Sequence, residues 1–78
     1  MSEQIEASAS EVLKAMETLN HHFKVAIDTL EAKGTDEDEV QSLVKGALAM
    51  KDAGGLYLTW TRHFIDRLGE IEGEDSSV

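Results

Sequence analysis

Apolar residues recur at alternating steps of four and three through both halves of this chain. In the first half the row runs Ile5, Ala9, Val12, Met16, Leu19, Phe23, Ala26 and Leu30. In the second, steps of three and four join Val40, Leu43, Ala47, Met50, Gly54, Tyr57, Thr61, Phe64, Leu68 and Ile71. A repeat of 3.5 residues held this long marks a helix that lays one apolar seam against a partner helix. In heptad letters Val40, Ala47, Gly54, Thr61 and Leu68 are a positions, and Leu43, Met50, Tyr57, Phe64 and Ile71 are d positions. Leu13 and Ile27 add an e row to the first ladder, and Leu58 and Ile65 add one to the second. Each apolar face is therefore wider than a minimal a/d stripe.

Local signals divide the ladders into two long helices. The first starts between Ser2 and Ser10, where Ser8-Ala9-Ser10-Glu11 has the capping-box pattern, and it runs to Lys33 with a frayed start. Lys33 followed by Gly34 is a stop signal: a cation in the last turn, then a residue that accepts positive φ. Residues 34–35 form a tight turn, so the two helices are antiparallel neighbours. Thr35 is the expected cap of a second helix over residues 36–69, with Asp36-Glu37-Asp38-Glu39 in its first turn, where the helix dipole favours negative charge. Residues 70–78 are acidic and glycine-punctuated, which predicts a flexible tail.

One segment conflicts with this scheme. Gly54 and Gly55 fall in the middle of the second helix, each costing about 1 kcal/mol relative to Ala. Leu56-Tyr57-Leu58-Thr59-Trp60-Thr61 beyond them favours strands. The helix either continues, breaks to give a third helix, or yields to a strand. Continuation is the better reading, because the ladder keeps its phase across the glycines and no other segment alternates to partner a strand. A kink at Gly54-Gly55 is compatible with it.

Composition adds constraints. At 78 residues the chain is one domain, too short to stabilise itself comfortably without a staple. It has no Cys for a disulfide, which leaves self-association as the usual remedy. The charge of −9 comes from 16 acidic and 7 basic residues and falls equally on residues 1–33, 34–53 and 54–78. Such a chain is repelled by nucleic-acid phosphate and by anionic membranes, while basic protein surfaces suit it. No secretory signal or membrane-length apolar run is visible, so a soluble cytoplasmic protein is expected.

Candidate chemistry is sparse. No cysteine nucleophile, phosphate loop or nucleophile elbow is present. His21 and His22 are adjacent and point to different sides of their helix, and His63 lies far from both in a hairpin with its turn at Gly34. Glu17 with His21, and His63 with Asp66, have ligand-like spacing, but two ligands do not make a zinc site. No catalytic residue, cofactor or metal is therefore expected. The aromatic cluster is the stronger candidate. Leu56, Tyr57, Trp60, Phe64 and Leu68 form the expected partner-binding set, with Leu56 and Trp60 at c and g, beyond what one hairpin covers. Trp in such a patch is favoured at interface centres.

These observations predict an all-α fold: an antiparallel helical hairpin pairing into a dimeric four-helix bundle. The expected function is non-enzymatic, a small acidic adaptor, chaperone or inhibitor that self-associates and binds another protein through a basic or apolar surface. A second class is an acidic mimic of nucleic acid that occupies the basic groove of a DNA- or RNA-binding protein. Lys14, Lys24, Lys45 and Lys51 dilute the stripe that this would need.

Overall fold

The computed structural model describes the backbone of residues 2–76 and the side chains of residues 2–72. Two helices account for it: α1, Ser2–Ala32, and α2, Glu37–Ser76. They pack antiparallel as a hairpin, an elongated plate with extents of 66 × 18 × 8 Å. Its radius of gyration of 18.6 Å far exceeds the ~11.5 Å of a compact chain of this length.

The turn is a Schellman motif. Gly34 takes φ +78°, where a side chain would be strained. Its N–H donates to the Glu31 carbonyl at 3.0 Å, and the Thr35 N–H reaches back to the Leu30 carbonyl at 3.1 Å. Two carbonyls at the end of α1 are thereby satisfied. The cap of α2 is Asp36 rather than the expected Thr35. The Asp36 carbonyl accepts the first bond of α2, from the Val40 N–H at 3.1 Å, while Thr35 is occupied in closing α1. Asp36 and Glu39 then have the spacing of a capping box.

α2 continues without interruption through Gly54-Gly55 and the strand-favouring segment beyond. The helix accommodates the two threonine hydroxyls of that segment within its own turns. The Thr59 hydroxyl donates to the Gly55 carbonyl at 3.0 Å and the Thr61 hydroxyl to the Tyr57 carbonyl at 2.9 Å. Each β-branched residue is thus tied to the preceding turn. The helix also passes the boundary expected at residue 69 and ends at Ser76. No proline opposes it, and Arg67 pairs with Glu70 at 2.9 Å across that boundary. Residues 77 and 78 of the expected tail lie outside the described residues.

The seam between the helices differs from the expected a/d pairing. The a-row residues, Ser2, Ala9, Met16, Phe23 and Leu30 on α1 and Val40, Ala47, Gly54, Thr61 and Leu68 on α2, are buried or half-buried throughout. Their companions are e-row residues: Asn20 and Ile27 on α1, and Val44, Leu58 and Ile65 on α2. Val40 is 0% exposed and Ile65 7%, the two most enclosed side chains among the described residues. Small a-row residues allow the helices to approach closely. The Met16 sulfur lies only 3.0 Å from where a β-carbon on Gly54 would stand. At the far end Glu6 and Arg62 meet across the seam at 3.7 Å, an exposed pair that fixes register more than it stabilises.

Candidate interaction surface

Closing on the a and e rows leaves both d rows open. A hairpin covers only one flank of a three-row apolar face, and here that flank is the e row, which on α2 is aliphatic at Val44, Leu58 and Ile65 where the d row carries Met50, Tyr57 and Phe64. On α2 the open row is Leu43, Met50, Tyr57, Phe64 and Ile71, all exposed, with Tyr57 at 65% and Phe64 at 60%. On α1 it is Val12, Leu19 and Ala26, with Ile5 half-buried at its start.

The two open rows share one side of the plate. A shallow apolar groove is lined by Phe23, Ala26, Leu30, Leu43, Ala47 and Met50, and a neighbouring one by Met16, Leu19, Met50 and Gly54 together with Asn20 and Lys51. The opposite side is mixed. Its grooves are lined by Asn20, Lys24, Asp28, Glu31, Leu48 and Lys51 near the turn, and by Glu6, Ser10, Leu13 and Arg62 near the far end. One face of the plate is thus an apolar strip along its length, and the other carries charges between scattered leucines.

The structure divides the partner-binding set proposed from sequence. Tyr57 and Phe64 lie within the apolar strip. Trp60, 67% exposed, stands on the g row at its edge, where its ring meets the His63 imidazole edge-on with centroids 5.6 Å apart. Leu56, one step further round, continues the patch over the rim. Leu68 is half-buried in the seam as an a-row residue and is not part of this surface. Leu43, Met50, Val12 and Leu19 belong to it instead. Their signal in the sequence is the d row itself, which heptad spacing places in the intrachain seam.

Charge, even along the sequence, is uneven on the plate. At the turn Glu31 and Asp36 to Glu39 outnumber Lys33, whereas in the middle Lys14, Lys24, Lys45 and Lys51 outnumber Glu17 and Asp52, and Lys24 pairs with Asp28 at 3.1 Å. The acidic surface is therefore broken into two ends. The His21 and His22 rings lie 6.2 Å apart on the exposed surface of α1. Among the described residues no group of three His, Asp or Glu side chains converges as a metal site requires. No described helix is long and apolar enough to cross a membrane.

Comparison with protein-family models, with curated proteins and with solved structures gives no match.

Proposed function

We propose that this chain is a non-enzymatic protein–protein interaction module, a helical hairpin that acts through self-association. The observation that carries this reading is the open d-row strip. A monomeric soluble protein seldom leaves so continuous an apolar surface in water. The size of the chain supports it, since two helices alone enclose almost no core and a second layer would supply one. Once paired, the assembly would present acidic ends and an edge patch of Leu56 and His63 to other proteins, as an adaptor, chaperone or inhibitor does.

The nucleic-acid mimic is the weaker reading, because the lysine-rich middle interrupts the phosphate-like run of charge it requires. Light scattering over a dilution series, with Trp60 emission recorded in parallel, tests the proposal. A stable mass of two chains with blue-shifted emission is expected. A single-chain mass with water-exposed Trp60 at every concentration would remove self-association from the account.

A further inference from the structure

The apolar strip fits a second copy of this chain, and the order of its residues says which way round that copy lies. The chain exposes 6179 Å², about a third more than the ~4,700 Å² expected of a compact monomer of 8.6 kDa. Two such chains would reach a compact dimer by burying ~4,600 Å² in total, within the span of permanent homodimers. One face of the plate, 66 × 18 Å, offers on the order of 1,200 Å² per chain and ~2,400 Å² for two, also within that span and more than a peptide laid along one groove would cover.

Two pairings bring the strips together with every helix antiparallel to the one it faces. In one, the turns lie at the same end and α1 faces α2 of the partner subunit. In the other, the partner is turned end over end, and α1 faces α1 while α2 faces α2. The contacts of Glu6 with Arg62 and of Met16 with Gly54 fix which d-row residues are level across the plate. Ile5 is level with Phe64, Val12 with Tyr57, Leu19 with Met50, and Ala26 with Leu43. At each level the α2 side chain is the larger of the two, or equals it in the case of Leu19 and Met50.

We propose that two hairpins pair with their turns at the same end, so that each α1 row packs on the α2 row of the partner subunit. Three of the four facing pairs then set a smaller α1 residue against a larger α2 one, as with Val12 beneath Tyr57 or Ile5 beneath Phe64, and the fourth matches Leu19 with Met50. The gap between the plates is therefore even across their width. End-over-end pairing sets Met50 on Tyr57 and Leu43 on Phe64. It leaves Val12 opposite Leu19 and Ile5 opposite Ala26, forcing the plates into a wedge, tight along α2 and open along α1. In the same-end pairing Trp60 comes level with Ser8 of the partner subunit, a small g-row residue that leaves room for the indole at the rim.

This rests on the self-association proposed above, and one experiment separates the two. A spin label is attached at Lys33→Cys, an exposed position beside the turn in a chain without native cysteine. Mass and label-to-label distance are then measured on the same sample. Same-end pairing expects a two-chain mass and labels within about 30 Å, the width of a four-helix bundle plus two linkers. A two-chain mass with labels about 50 Å apart, given a rise of about 1.5 Å per residue on each side of the bundle centre, would overturn the orientation and leave self-association standing. A single-chain mass would overturn both, and a larger oligomer would overturn the pairing of two.

Discussion

The closed seam and the open strip of this hairpin are made by the same two helices, at the same levels, from residues of similar hydropathy. On the a and e rows Val40, Leu58 and Ile65 are enclosed, and small residues at Ala47, Gly54 and Thr61 let the backbones approach. One step round the helix, Leu43, Met50, Tyr57 and Phe64 stand in water. Residue type alone therefore does not decide burial here. Row does: the a and e rows close the two-helix seam, Met16 and Phe23 included, and the d rows, from Val12 to Tyr57, are left for a wider interface. The seam is what makes the chain a hairpin, and the strip is the surface on which the proposed pairing rests.

The comparison predicts that the two surfaces fail in different ways. Val40→Asp places an unpartnered carboxylate at the most enclosed position and should destabilise the hairpin by about 3 kcal/mol or more. For a chain of this size that is a fall in Tm of well over ~10 °C, read by circular dichroism at 222 nm. Retention of the wild-type melting curve would mean that the seam is not where the fold is held. Phe64→Asp acts on the strip instead. A loss of about 2 kcal/mol from association weakens pairing roughly 30-fold, so the mass drops to one chain at micromolar concentration. Leu48→Asp, equally apolar and exposed but on the opposite face, should leave the mass unchanged. If Leu48→Asp dissociates the chains and Phe64→Asp does not, the faces have been assigned the wrong way round.

How much of this was legible in the sequence follows from which signals are periodic. The two helices and the continuity of α2 through Gly54-Gly55 came from phase, and their antiparallel order from the shortness of the turn. An apolar ladder that holds its register across two glycines has no reason to do so outside a helix. The turn was legible at Gly34 because only positive φ makes the bond from Thr35 to Leu30. The capping residue was misplaced because Thr35 and Asp36 are both good caps. What separates them is that Thr35 is already engaged at the end of α1. The choice between d and e as second row of the seam was not legible at all. Heptad spacing describes a face, and a face of three rows offers two equivalent ways to close on a single partner. Burial of Leu68 and exposure of Tyr57 follow from that choice, which is why the expected partner-binding set divides between seam and strip.

The turn offers the next test. Gly34→Ala forces a side chain into left-handed backbone at φ +78° and should destabilise the hairpin by about 1 kcal/mol. That is a Tm drop of about 4–8 °C for a chain of this size. Nothing lies within 4 Å of the added methyl, so the whole effect is backbone strain. Gly34→Asn, which tolerates that region better, should recover part of the loss. Equal melting of all three proteins would mean that the turn relaxes freely and does not hold the helices in register.

The smallest effect distinguishes seam from surface most sharply, because it uses two neighbouring glycines in the same helix. Both Gly54→Ala and Gly55→Ala improve helix propensity by about 0.5–1 kcal/mol, through the same loss of unfolded-state freedom. At Gly55 the added methyl meets nothing, so the gain should appear in full as a higher urea midpoint with an unchanged slope. At Gly54 it meets the Met16 sulfur at 3.0 Å. The thioether can swing away, but doing so loosens the packing that Met16 makes across the seam, and the gain should shrink towards zero. Replacing Met16 by Ala in the Gly54→Ala background removes the obstruction, and the methyl added by Gly54→Ala then partly fills the space that Met16 vacates. The double variant should therefore lose less than the sum of the two single changes. Strict additivity would mean that Met16 and Gly54 do not share the close contact on which the register of the two helices, and with it the levels of the open strip, depends.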